Sequence, residues 1–321
     1  MDALSDVLRT AQLTGGVFLH AEFTAPWCIA ARMSPELCSP FLGPAAHLMP
    51  FHYVVEGSLE AAVEGEEPIH LEDGQIVLFP HNDMHRMGSD LKLAPTPASE
   101  IIVPPEGGGL HSIRHGRGGP ATRMICGYLG CDILRGNPVV AALPAAMTFS
   151  VESVGPADWI RATFEFAASE IAAGRPGSET VLAKLSELLF VKAVRSYVEA
   201  MPEGRSGWLA GLGDPAVARA LALIHADTRR AWSVDELARE AGCSRSVLAE
   251  RFARLIGMAP MHYLAHWRMQ LAAQELKASL TPLARIADRI GYESEAAFSR
   301  AFKKAFGAAP ATWRRVESAK G

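Results

Sequence analysis

Apolar positions change their period along this chain. From residue 17 to about 150 they come in short runs, FHYVVEG and GQIVLFP among them, set apart by Gly- and Pro-rich turns. Such runs between turn signals predict the strands of an all-β barrel or sandwich. Over 157–172 and 178–200 the period lengthens to that of a helix. In the second stretch Val181, Leu182, Leu185, Leu188, Leu189, Lys192 and Val194 lay a mostly apolar stripe along one side, the mark of an amphipathic helix. Ser178 and Glu179 give it a cappable, acidic start, and GRPGS parts it from the helix before. Residues 201–213, MPEGRSGWLAGLG, read as a linker, and everything after Asp214 reads as helix. The predicted fold class is multi-domain α+β: a β-barrel over 1–156, a helical connector over 157–213 and an all-α domain over 214–321.

The helical third repeats itself. Leu237-Ala238, Ala241-Gly242, Ser244, Phe252, Gly257 and Pro260 return as Ile286-Ala287, Ile290-Gly291, Ser294, Phe302, Gly307 and Pro310. From each Ser the Phe lies 8 residues on, the Gly 13 and the Pro 16. Two copies of helix–turn–helix account for this spacing. Ser233-Val-Asp-Glu236 is a capping box for the first copy, and Thr281-Pro282 supplies an N-cap with Pro at N1 for the second. Gly242 and Gly291 sit where each first helix must stop and turn. Ser244 and Ser294 cap the second helices, and Gly257 and Gly307 close them. Leu248, Phe252 and Leu255 are expected to be buried in one copy, and Phe298, Phe302 and Phe306 in the other. The remaining faces carry Arg245, Arg251 and Arg254, then Arg300, Lys303 and Lys304. A second helix with a basic polar face has the form of a recognition helix entering a major groove. Between the copies, Pro260 to Ala278 predicts one helix of 19 residues, about 28 Å long at 1.5 Å per residue. A rigid rod of that length can set two recognition helices on major-groove faces about 34 Å apart. Leu264, Trp267, Leu271 and Leu276 would bury one side of it.

Charge supports this division. Residues 1–213 carry 14 Lys+Arg against 24 Asp+Glu, whereas 214–321 carry 17 against 11, so the net −4 hides an acidic front and a basic tail. That asymmetry points to a polyanionic partner for the tail. Eight of the eleven histidines lie at or before His115, which suggests a separate site in the front half.

Residues 214–315 resemble the DNA-binding domain of the AraC/XylS family of transcription regulators, the second copy (PLARIADRIGYESEAAFSRAFKKAFGAAPATWRR) more closely than the first. The resemblance implies that exposed positions of each second helix read base edges of double-stranded DNA. Those positions are Ser246, Ala249 and Glu250 in copy one, and Glu295, Ala296, Ser299 and Arg300 in copy two. Arg245, Arg254 and Lys303 would reach phosphates. Copy one departs from the family pattern, because Ala249 and Glu250 stand where longer or basic residues are common. Copy two is therefore expected to contribute more affinity.

The front half resembles a cupin. FHYVVEGSLEAAVEG followed by GQIVLFPHNDMH gives the order of the two cupin strand motifs, and Gly74-x5-Pro80-x-Asn82-x2-His85 resembles the second, with Asn in place of Gly. The first motif's metal ligands are absent in register: Gly43, Ala45 and Pro50 stand where they would fall. His52 lies two residues after the missing carboxylate and points to the same side of a strand. With Cys126 and Cys131 it suggests, beside His85, a site for zinc or another divalent metal. A redox-responsive thiol pair and a simple core of buried cysteines and hydrogen-bonded histidines fit the same residues. His81 could take the place of His52, the direction of nearby His47 is not assigned, and Cys28, Cys38 and Cys243 have no partner pattern.

With 49% hydrophobic and 21% charged residues the chain is no disordered tail. It has no apolar run long enough to span a membrane, no secretory leader at MDALSDVLRT, and an odd five cysteines, which together fit the cytoplasm. The expected function is an effector- or metal-responsive transcription regulator, dimeric through helix 178–200 unless that helix packs on its own barrel. A small molecule or metal ion would be its effector, DNA its target, and RNA polymerase a further partner for an activator. A metal-dependent cupin enzyme with a helical appendage is the alternative, disfavoured by the broken metal triad.

Overall fold

The computed structural model describes residues 3–10, 13–34, 47–104, 111–131, 138–150, 178–202 and 206–318, with single positions 162 and 166. The helix expected over 157–172, and Cys38, Gly43 and Ala45, lie outside the described residues. The chain divides into two compact units, a sheet unit of residues 12–132 and 143–200, and a helical unit. The helical unit takes α1 (Ala3–Thr10) and α2 (Pro138–Ala141) as well as everything from residue 201 onward. No described helix is long and apolar enough to cross a membrane.

Strands β1 (Leu13–Thr24), β2 (Cys28–Ala31), β3 (His47–Glu56), β4 (Ser58–Val63), β5 (Ile69–Glu72) and β6 (Gln75–Leu78) open the sheet unit. They are followed by β7 (His85–Gly88), β8 (Thr96–Pro97), β9 (His111–Gly116), β10 (Ala121–Cys131) and β11 (Met147–Ser150). One sheet runs β11-β6-β3-β10-β1-β9 and the other β5-β4-β7-β2-β8. Their apolar faces meet in one core, where Ala21, Phe23, Val54 and Met124 of the first sheet pack with Ile29, Leu59, Ala61 and Met87 of the second. The expected β domain is thus two sheets around a shared core, and among the described residues they form no single closed ladder. Helix α3 (Ser178–Glu199) lays Phe190, Ala193 and Val194 against this unit, on β1 and β11. Of the predicted apolar stripe Val194 is buried in this packing, Val181 and Leu189 are half-buried, and Leu188 faces outward.

The helical unit continues with α4 (Trp208–Gly211), α5 (Pro215–Ala226), α6 (Val234–Glu240), α7 (Arg245–Ile256) and α8 (Pro260–Ala278). After these come α9 (Leu283–Arg289), α10 (Glu295–Phe306) and α11 (Pro310–Ser318). Helix pairs α6/α7 and α9/α10 are the two repeats. Ser233 and Glu236 form the reciprocal capping box, and Ser244 and Ser294 accept the backbone N–H groups of Val247 and Ala297. Gly242 (φ 71°) and Gly291 (φ 79°) turn the chain in the left-handed region, where an L side chain is strained. At Gly291 a side chain would also meet the carbonyl oxygen of Arg229 at 2.3 Å. One cap differs from expectation. Pro282 is the N-cap of α9, and no side chain bonds there. Thr281 instead accepts a hydrogen bond from the Ser279 hydroxyl at 2.9 Å.

The stretch expected as a linker is also partly structural. Trp208 and Leu209 of α4 are buried, and Trp208 Nε1–H donates to Tyr263 Oη at 2.7 Å. The Tyr263 hydroxyl donates in turn to His225 Nε2 at 2.8 Å. This buried chain ties α4, α5 and α8 together. Ala3 and Val7 of α1 are buried, and that helix packs on α5.

Burial pushes the His225 imidazole down to about 4 from its usual 6.5. An unfolded chain takes up this proton near pH 6.5 and the folded one only near 4. Folding stability is therefore full above 6.5 and falls with acid between those values, by roughly 3 kcal/mol. Urea unfolding of the helical unit's transition at pH 7 and pH 4.5 measures the loss. A His225→Phe chain should lose less over the same interval, and an equal loss would place the proton uptake elsewhere.

Candidate DNA interface and effector cavity

Recognition of a groove needs a helix with one face anchored and the other free. In α7 Leu248, Phe252 and Leu255 are buried, and in α10 Phe298 and Phe302. Position by position, the outward faces then match. Arg245 and Ser246 correspond to Glu295 and Ala296, all four exposed, while Ala249 and Ser299 are both half-buried. Glu250 and Arg300 are exposed at the next shared position, and Arg254 and Lys303 stand exposed one turn further on. The ten residues expected to meet DNA thus lie on two helix faces of the same unit. Arg245 forms a 3.3 Å exposed ion pair with Asp235, so part of its charge is answered within the protein. Arg251 does the same with Asp214. Among the described residues Arg300 and Lys303 form no such pair.

Rod α8 spans the predicted 19 residues, Pro260–Ala278. Tyr263, Leu264, Trp267, Ala272 and Leu276 anchor it. Arg268, midway along, donates to the backbone carbonyls of Thr228, Arg229 and Arg230, fixing the chain before α6.

The second site lies in the sheet unit. His52 on β3 and Cys126 on β10 are directly paired in register, which brings their side chains within reach on one face. His85, at the start of β7, meets them from the other sheet. His85 Nδ1–H donates to the Asp83 carbonyl at 3.0 Å, which leaves its Nε2 as an acceptor. His52 Nε2–H donates to that atom at 3.1 Å, and His52 Nδ1 accepts the Cys126 thiol proton at 3.0 Å. This is the one set of neutral tautomers in which every group has a partner. Burial favours the neutral forms: it holds His52 well below the usual imidazole value, with His85 adding to the effect. It also pushes His85 down to about 4 and the Cys126 thiol upward.

These three side chains line a cavity of about 250 Å³. Its walls are apolar, from Leu19, Phe23, Ile29 and Ile113 to Met33, Met84, Met87 and Met124. Asn82, at φ 54°, clamps the backbone of Met33 with two hydrogen bonds of 3.0 and 2.8 Å. Asn tolerates the left-handed region better than most residues, which is why it can replace Gly in the second cupin motif.

Comparison with known proteins bears on both units. A Cupin family model matches residues 2–199, and a Helix-turn-helix domain model matches 237–316. A Streptomyces lividans protein described as an AraC-like transcription regulator is 34% identical, over 98% of either chain. The chain belongs to the AraC-type transcription regulators. Another of them, from Streptomyces antibioticus, is 34% identical over 84% of this chain and 88% of its own. The HTH-type regulator AlkR of Acinetobacter baylyi is 29% identical over 98% and 99%. A crystal structure of the AdpA DNA-binding domain with a target DNA aligns to 33% of this chain and 96% of that domain, at 30% identity and a TM-score of 0.32.

As an AraC-type regulator, the protein binds DNA through its helical unit. Of the expected metal set His52, His85, Cys126 and Cys131, the first three are neighbours joined by hydrogen bonds. Among the described residues no three His, Cys, Asp or Glu side chains can share an ion. Cys126 and His85 bond opposite nitrogens of the His52 ring, so one ion cannot face all three. The Cys131 side chain lies outside the described positions. Its backbone pairs with His47, five residues along β10 from Cys126, or about 16 Å on a strand. His47 and His81 donate to the backbone carbonyls of Pro80 and Leu143.

Sequence reasoning missed the Asn82 clamp and the methionine walls. The Asn at a Gly position was the one available signal for the clamp. The relay predicts a mutational asymmetry. Cys126→Ala orphans His52 Nδ1 and should cost about 1–3 kcal/mol, the usual penalty for a buried unsatisfied group. Cys126→Ser, which keeps a donor, should recover most of it in urea titrations. Equal losses would show that packing, and not the hydrogen bond, is what Cys126 contributes.

Proposed function

We propose that this AraC-type regulator is a cytoplasmic, non-enzymatic, effector-responsive homodimer. A small molecule enters the sheet unit's cavity, and α7 and α10 read two successive major-groove faces of one operator half-site. The observation that carries the DNA reading is the matched outward face of the two helices, with equivalent positions exposed in both. Ser246, Ala249 and Glu250, with Glu295, Ala296, Ser299 and Arg300, meet base edges, and Arg245, Arg254 and Lys303 meet phosphates. For an activator, RNA polymerase is the further partner.

Chain connectivity supports effector response. Leu19, Ala21 and Phe23 of β1 and Met124 and Cys126 of β10 line the cavity. At the end where Leu13 pairs with Cys131, β1 is preceded by α1 and β10 leads to α2, and both helices belong to the helical unit. A change at the cavity wall therefore has a covalent route of few residues to the unit that holds α7 and α10. The relatives of this chain are regulators, which favours this reading over the enzyme alternative.

Binding of the full chain to a duplex selected from a random library, titrated with salt, tests this. Affinity should fall linearly on logarithmic axes as phosphate contacts release counterions. Lys303→Ala should lower the slope by about one and weaken all sequences alike, whereas Arg300→Ala should cost about 1–3 kcal/mol and relax preference at one base pair. Arg245→Ala should cost less, because Asp235 already answers part of that charge. Binding that is insensitive to salt, or lost only with Arg245, would contradict the assignment.

A further inference from the structure

The cavity of the sheet unit constrains what it can hold, and this inference rests on that cavity being the effector site. An engineered apolar cavity of about 150 Å³ binds benzene, so one of about 250 Å³ has room for a molecule of about ten non-hydrogen atoms. Four methionines, Met33, Met84, Met87 and Met124, contribute to its wall. Their unbranched side chains adapt to different apolar shapes.

Polar groups in the cavity are few and mostly spoken for. His52, His85 and Cys126 use all four ring nitrogens and the thiol proton on one another and on the Asp83 carbonyl, and the remaining lining hydroxyl, of Ser99, belongs to an exposed residue. A ligand hydroxyl placed against them would give up water and find no free partner. This disfavours sugars, which carry a hydroxyl on nearly every carbon. Both imidazoles are neutral here, so the floor offers no charge. Arg32 is the charged residue among the described lining, and it is exposed. Its head can stay in water while its stem covers apolar surface. The ring nitrogens are not arranged to bind a metal along with the thiol.

We propose that the effector is an uncharged, compact hydrocarbon-like molecule of about ten non-hydrogen atoms, such as an alkylbenzene, bound without a metal. The self-satisfied relay is what makes the cavity floor compatible with such a ligand. Arg32 and the exposed Met84 mark its opening.

The test uses the full chain and propylbenzene, which has nine carbon atoms, followed by calorimetry and by thermal unfolding. Saturable binding with a negative heat-capacity change, a raised melting temperature and no response to EDTA are expected. Glucose and zinc sulfate at the same concentrations should leave the melting temperature unchanged. Ala98→Phe and Ala21→Leu each fill part of the cavity. Whichever of them still melts cooperatively should bind propylbenzene at least tenfold more weakly.

Three results would overturn the proposal: no binding of propylbenzene, binding abolished by EDTA, or equal binding by a cooperatively melting filled variant. So would 3-phenylpropanoate binding more than tenfold tighter with that advantage lost in Arg32→Ala, which would identify an anionic ligand instead. Operator binding of the same preparation separates the two claims. A chain that binds operator but not propylbenzene disproves the ligand class alone, and one that binds neither disproves the regulator assignment as well.

Discussion

Burial of one side of α7 and α10 is the constraint on which the helical unit depends. Leu248 and Phe252 in one helix, and Phe298 and Phe302 in the other, have almost no exposed surface. Each buried side chain of this size contributes roughly 1.5–3 kcal/mol, far more than any exposed ion pair on the opposite face. The rotation of each helix about its axis is thus set by its apolar residues. The polar residues between them can then vary with the DNA sequence while the fold stays the same. Left-handed glycines at 242 and 291 turn the chain before α7 and α10, and serine caps fix where each begins. Rod α8 then sets the separation.

A different kind of closure shapes the sheet unit. A cupin barrel that holds a metal needs several lone pairs converging on one point. Here His52 sits between two partners, the thiol on one nitrogen and His85 on the other, and His85 is anchored to a backbone carbonyl. Every proton has a place when all three groups are neutral, and burial pushes each toward its neutral form. The result is a polar cluster that behaves toward the cavity as part of an apolar wall.

How much of this was legible in the sequence depended on how local the signal was. Caps, glycine turns, the 49- to 50-residue repeat and the 19-residue rod are all written within a few turns of chain, and apart from the Thr281 cap they match the structure. Trp208 looked like part of a linker because Gly residues surround it, and its partner Tyr263 lies 55 residues away. His52, His85 and Cys126 were picked out together, and a set of hydrogen-bonded histidines beside a buried cysteine was one of the three relations they fitted. Seventy-four residues separate His52 from Cys126, and only the strand register shows that they pair. Cys131 was added because of its nearness to Cys126 in sequence, which on a strand becomes distance in space. The two segments that join the helical unit from within the front half, α1 and α2, carry no sequence mark of their destination.

In the proposed function one chain reads DNA with α7 and α10, held apart by α8. Hydroxyl-radical footprinting of the full-length protein on its selected duplex, at the lowest concentration that protects, addresses it most directly. Each bound chain should protect two backbone segments on one face of the duplex, their centres about one helical turn, or 10 base pairs, apart. Loss of Arg300 should weaken protection first in one of the two. A single protected segment per chain, unchanged by substitutions in either helix, would contradict the account.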